Sequence, residues 1–210
     1  MKVLRFLVPG LCAVGVAACG YASARLAGRV PAGNLALYPL WAGSHFATAS
    51  VFAILAPLQL WAGLRSRRPA VHRVVGRIAA VLGVVMAVSG LAIVYDAPDR
   101  TVAELIFMTV FFLGYLGFLA LGVRAALGRN FTAHRAWMVR MVATALTPVS
   151  QRLIFPPLAA LLGIDGMATF WQLFVSAAWI GWALNMAVAE AWIQGSSARR
   201  PVRAEPAPAA

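Results

Sequence analysis

The side chains that could do chemistry in this chain are few, and two groups of them share a pattern. His72-Arg73 is followed by Gly76-Arg77, and His134-Arg135 by Trp137-Met138 and Arg140; a third histidine stands at His45. Neutral imidazole ligates metals and haem iron or serves as a general base, and guanidinium groups pair with carboxylates, phosphates and haem propionates. Gln59, Arg152, Asn185 and Glu190 place further polar groups inside apolar stretches. Cys12 and Cys19 share one helical face without metal-ligand spacing and read as buried thiols rather than a disulfide. No Walker loop, Ser-His-Asp order or strand-linked GxGxxG accompanies them.

What must position these groups is a set of membrane helices. Of 210 residues, 62% are hydrophobic and 11% charged, and the mean hydropathy is +0.81. An ordinary soluble chain carries about 25% charged residues. Apolar windows of about 20 residues, enough to cross a hydrocarbon core of about 30 Å, occur six times. They run Phe6–Leu26, Leu40–Leu64, Val74–Val94, Val102–Val123, Ala136–Leu162 and Met167–Trp192. The expected fold is an all-α, six-helix transmembrane bundle in one membrane domain, residues 1–193. Residues 194–210, rich in Ser, Pro, Ala and Arg, read as a disordered cytoplasmic tail.

The net charge of +12 would suggest nucleic acid, but its distribution argues otherwise. Lys2, Arg5, Arg65, Arg67, Arg68, Arg73, Arg77, Arg124, Arg129, Arg135, Arg140, Arg199, Arg200 and Arg203 fall on one side of the expected spans. Arg25, Arg29 and Arg100 fall on the other, with Asp96, Asp99, Glu104 and Asp165. The positive-inside rule then predicts a bacterial inner-membrane protein with both termini cytoplasmic, its partner the bilayer and not nucleic acid. Lys2, Arg5 and Ala22-Ser23-Ala24 resemble a secretory signal, and Val16-Ala17-Ala18-Cys19 a lipoprotein box; the length of the apolar run and the even topology favour an uncleaved helix. Trp41, Trp61, Tyr95, Trp137, Trp171 and Trp192 fall near span ends as belt residues, whereas Trp179 and Trp182 lie mid-span and read as packing.

The loops before His72 and His134 look alike. Gly63-Leu64-Arg65 and Arg68 precede the first histidine, and Gly122-Val123-Arg124 and Arg129 the second. This pattern suggests a parallel repeat of two helical hairpins, or only the basic residues that cytoplasmic loops share. Helical projection places His72, Gly76, Ala79, Gly83, Ala87 and Gly90 on one stripe, which reads as close helix packing or as a groove for a flat cofactor. His45, Phe52 and Gln59 share a stripe of the second helix, and His134, Met138, Met141, Pro148 and Arg152 one of the fifth. At about 1.5 Å per residue, His72, His134, Arg77, Arg140, Gln59 and Asn185 are expected in one polar cluster at the cytoplasmic side. His45, Gln151 and Arg152 are expected in the outer part. Arg152 is the costliest residue to bury, with Asp165 or a carbonyl freed by Pro148 or Pro156 as partner, or snorkelling as relief.

At these residues the chain resembles a family of bacterial integral membrane proteins known as a domain of unknown function. The marks are His45, Pro57-Leu58-Gln59, His72-Arg73-x-x-Gly76-Arg77, His134-Arg135-x-Trp137-Met138-x-Arg140, Arg152, Asn185 and Ala189-Glu190, spanning about His45 to Glu190. Ala56 stands where glycine is expected before Pro57. The resemblance implies membership and no activity. A fainter likeness is to membrane cytochromes b.

Three activities fit the chemistry. The sharpest is haem b-linked electron transfer, with His72 and His134 as axial ligands and Arg77 and Arg140 on the propionates. The alternative is binding or transport of an anionic ligand or lipid headgroup by His72, Arg73, Arg77, His134, Arg135 and Arg140, at helix starts that favour anions. The third is an enzyme that takes a lipid or quinone-like substrate from the bilayer, with Glu190, the carboxylate expected within a span, approaching His72 or His134 as general base.

Overall fold

The computed structural model describes Ala17 and residues 39–96 and 100–198. The first expected span, both cysteines and most of the tail lie outside the described residues. Within them the chain is helical and without strands, in the order α1 (Pro39–Leu60), α2 (Ala62–Arg67), α3 (Pro69–Asp96), α4 (Val102–Leu127), α5 (Phe131–Ala145), α6 (Thr147–Leu162) and α7 (Met167–Ala198). Five stretches are long and apolar enough to cross a membrane: Pro39–Leu60, Pro69–Asp96, Val102–Leu127, Phe131–Leu162 and Met167–Ser196.

Local chemistry sets the ends. α1 stops before Gly63-Leu64 because Trp61 turns extended (φ −72°, ψ 114°), so those residues fall in the short basic helix α2 rather than in the span. Pro69 then opens α3, where its missing N–H costs nothing. Thr101 caps α4 by accepting from the Glu104 amide at 3.2 Å. α5 begins at Phe131, five residues before the expected span, because Asn130 caps it by accepting from the Ala133 amide at 3.0 Å. α5 and α6 form one kinked span, jointed at Leu146 just before Pro148. α7 runs on to Ala198, past the expected boundary at Ile193; Pro201 is the next residue that would end a helix.

The turn from α4 to α5 has the form of a Schellman motif: the Asn130 amide donates to Ala125 O at 2.8 Å and the Arg129 amide to Ala126 O at 3.0 Å. Its left-handed position, usually glycine, is Arg129 at φ 56°. A side chain there costs about 1 kcal/mol, so Arg129→Gly should raise the melting temperature in detergent by about 2–4 °C. An unchanged or lower melting temperature would mean the arginine side chain repays its strain through contacts of its own.

α1 packs on α3, α3 on α4, α4 on α5, and α5 and α6 on α7. The buried core joins Phe52, Ala79, Ala87, Phe107, Phe111, Phe112, Tyr115, Leu119, Met141 and Val142. Large apolar residues including Val81, Val88, Leu113, Leu153, Leu184 and Val188 face outward, as bilayer contact demands. Trp179 packs edge-on against Phe107, ring centroids 4.9 Å apart, and Trp182 Nε1 donates to Thr144 Oγ1 at 3.2 Å, so both mid-span tryptophans are packing residues.

Candidate functional site

The two stripes of α1 and α3 mate in register. His45, Phe52 and Gln59 recur every seven residues along α1, and Gly90, Gly83 and Gly76 meet them in reverse order along the antiparallel α3. A Cβ at Gly90 would stand 2.9 Å from His45 Nδ1 and Cε1 and 2.5 Å from Phe112 Cζ. At Gly83 it would meet the Tyr115 hydroxyl from α4 and approach Phe52 Cε2 to 3.3 Å; at Gly76 it would lie 3.1 Å from Gln59 Oε1. The small-residue stripe is therefore a packing seam, and protein side chains fill the groove that a flat cofactor would need. His45 is fixed in it by donating from Nδ1 to Met86 O at 2.8 Å.

At the end of the bundle that carries the basic loops, the two helix-start histidines lie near enough to influence each other's charge. His72 lies within electrostatic reach of Arg65, His134 and Arg73. His134 Nδ1 donates to the Gly122 carbonyl at 2.9 Å, which ties α5 to α4 and leaves Nε2 as the second ring site. Arg65 Nη1 caps the end of α1 by donating to Leu60 O at 3.2 Å and Gln59 O at 3.3 Å. Burial pushes its guanidinium below the ordinary arginine value, and the nearby charge of Arg135 pushes it further the same way. Arg135 in turn lies over the Trp192 ring at 4.4 Å. Neither Arg65 nor Arg135 forms an ion pair among the described residues, and His72 Nδ1 and Gln59 Nε2 are buried without a hydrogen-bond partner.

Several expected members of this cluster belong elsewhere. Arg140 is clamped by Glu190, with Nε 2.5 Å from Oε1 and Nη2 2.8 Å from Oε2, and lies over Trp137 at 4.7 Å. Glu190 therefore serves as the partner of Arg140 rather than of His72 or His134. Asn185 does not join Gln59 but accepts from Ser150 Oγ at 2.9 Å, within a polar layer of α5, α6 and α7 that includes Thr144, Thr147 and Gln151. Gln151 is buried and donates to Phe174 O at 3.0 Å, whereas its neighbour Arg152 is exposed and donates to the Pro148 carbonyl at 2.8 Å. Pro148 does supply a carbonyl, but it is the helix's own, one turn back, and Asp165 instead takes the Thr169 hydroxyl. Arg73 and Arg77 are exposed on α3.

The two basic loops are built differently: the first holds the helix α2, the second a tight turn through Arg129. His134 finds a backbone carbonyl, and His72 Nδ1 finds none. Sequence reasoning also missed two buried groups. Glu104, counted among the acids of the arginine-poor side, is 1% exposed in the first turn of α4 and ion-paired with Arg100, so Glu190 is not the lone carboxylate of a span. Tyr115 is equally buried, and the signal for it was its position, a tyrosine remote from either end of its span. No group of three or more His, Cys, Asp or Glu among the described residues could hold a metal ion.

Residues 43–193 match a family described as a predicted membrane protein (DUF2306). No curated protein and no solved structure matches the chain.

Proposed function

Because the chain belongs to the DUF2306 family of membrane proteins, we propose its role from the site it builds: recognition of an anionic lipid headgroup between its two basic loops. The reading places the protein in a bacterial inner membrane, with a sixth span at Phe6–Leu26 and both termini on the basic side. The observation that carries it is that Arg65 in α2 and Arg135 in the first turns of α5 feel each other's charge, with no carboxylate ion pair to either among the described residues. Holding such charges together in a half-buried site is unfavourable until an anion joins them. His72 adds an imidazole N–H group, and Arg135 lies over the Trp192 ring.

The test is binding of phosphatidylglycerol, against phosphatidylcholine and inorganic phosphate, to protein purified in detergent and placed in nanodiscs. Parent protein should prefer phosphatidylglycerol, and Arg65→Gln with Arg135→Gln should weaken it about tenfold or more, the value of one charge-assisted hydrogen bond. Equal affinity in parent and double variant would overturn the reading, and tighter binding of inorganic phosphate than of the lipid would move it to a soluble anion.

Haem draws support from one observation, the Gly122 carbonyl on His134 Nδ1, since ligating imidazoles are oriented in that way through the nitrogen that does not bind iron. Against it, Arg140 is taken by Glu190 and the seam beside His72 is filled. An absorption spectrum of protein expressed with ample haem separates the two readings, a Soret band being the mark of haem.

A further inference from the structure

An open groove runs between α3 and α4 on the outward side of the bundle, lined by Ala80, Val81 and Val84 of α3 and by residues of α4 from Leu116 to Leu127. Short side chains at Ala80 and Ala120, one on each helix, keep its floor low, and Val81, Val84 and Val123 are exposed along it. Its lining is apolar except at Arg124, the only charged residue among those that form it. Arg124 is exposed and forms no ion pair among the described residues. On α3, Arg77 stands one turn nearer the basic end than Val81 on the same face, and it too is exposed without an ion pair among the described residues.

Two dimensions say what fits. The α4 wall from Leu116 to Leu127 is about 16 Å long, about half of a hydrocarbon core of ~30 Å, so the groove spans one leaflet from the basic end to mid-membrane. A volume of about 600 Å³ over that length makes it about 6–7 Å wide on average, narrower than the about 10–12 Å of a helix with its side chains. We propose that the groove seats one acyl chain of an anionic phospholipid from the leaflet on the basic side, with the phosphate held by Arg124 and Arg77. The chain lies against the alanines and valines, and the guanidinium groups reach the headgroup layer by extending toward the helix ends. Lipid tails elsewhere are as apolar as this groove, so burying the chain gives no preference by itself. Selection for the lipid therefore comes from the two arginines, which offer forked N–H donors to the phosphate and a net positive charge to the headgroup. This is a second lipid site: neither Arg65 nor Arg135 lines the groove, and its occupancy does not depend on recognition between the loops.

Phosphatidylglycerol carrying a photoactivatable diazirine near the methyl end of one chain tests this with the full chain in phosphatidylcholine nanodiscs. After irradiation and proteolysis, mass spectrometry should find the label concentrated on Val84 and Leu116, at the deep end of the groove, over Leu184 and Val188, which face outward on α7. The same probe with a phosphatidylcholine headgroup should label the groove about fivefold less, the effect of one arginine on an anionic headgroup. Arg124→Gln should bring the phosphatidylglycerol probe down to that level, and adding Arg77→Gln should lower it further. Ala120→Phe fills the groove from an exposed position, so the label should fall to the level of Leu184 and Val188 while the melting temperature stays near the parent's. Arg65→Gln with Arg135→Gln should leave the groove label unchanged, which separates this site from the one between the loops. Labelling as strong at Leu184 and Val188 as in the groove would overturn the proposal, as would a groove label indifferent to headgroup and to both arginines. An unlabelled groove would overturn it as well and give the site to the Phe6–Leu26 segment or a second copy of the chain.

Discussion

Gly90→Ala should be the most damaging alanine substitution in the glycine seam, lowering the melting temperature in detergent by about 5–10 °C. The added methyl would stand 2.5 Å from Phe112 Cζ and 2.9 Å from the His45 ring, pressed from two helices at once. His45 can retreat only by giving up its 2.8 Å bond to Met86 O, and Phe112 is held edge-on against Phe111 with centroids 5.1 Å apart. Overpacking of this kind costs about 1–3 kcal/mol, and a broken buried hydrogen bond about 1 more. Gly83→Ala should cost less, since the Tyr115 hydroxyl is the far end of a ring that can slide. Gly76→Ala should cost least of the three, because the Gln59 amide at 3.1 Å can rotate away. At Gly114 and Gly117 a methyl meets nothing within 4 Å, so alanine there should be neutral or stabilising by up to about 1 kcal/mol. A thermal series measured by fluorescence-detected size exclusion decides it: if Gly114→Ala hurts as much as Gly90→Ala, the meshed register is not what holds α1 to α3.

That register shows what a single sequence can and cannot reveal. Each stripe was readable alone, because a heptad of small residues on α3 and the recurrence of His45, Phe52 and Gln59 on α1 follow from helical period. Their mating was not, because any two antiparallel apolar helices can slide past one another until particular knobs and holes choose the register. The partner of Arg140 was unreadable for a related reason. Its partner Glu190 is 50 residues away, and a carboxylate near two histidines and several arginines has no unique mate until α5 and α7 are docked. Glu104 was counted only as an acid of the arginine-poor side because span windows ignore which side of a first turn faces inward. Arg152 reads as a buried cost only if its face is unknown; a long side chain can lie along its own helix and reach the Pro148 carbonyl. The spans themselves were readable because the bilayer imposes length and composition on every one of them.

Breaking the Arg140–Glu190 pair should show that it is structural, in a way that removing either residue alone cannot. Glu190→Leu leaves a guanidinium over Trp137 within a span and without its carboxylate, at an expected cost of about 1–3 kcal/mol, or a fall of about 5 °C in melting temperature. Arg140→Leu should cost less, because the Glu190 side chain is 37% exposed against 21% for Arg140 and can draw on water or headgroups. The double leucine variant should recover most of the loss, since an apolar pair of similar volume replaces an ion pair at little net cost where the surroundings are apolar. A double-mutant cycle on melting temperature therefore yields a coupling that favours the intact pair. The same double variant keeps Arg65 and Arg135, so phosphatidylglycerol affinity should stay within about twofold of the parent, well under one tenfold step. Loss of lipid binding in the double variant, with stability restored, would instead make Arg140 a direct anion ligand that Glu190 only holds in reserve.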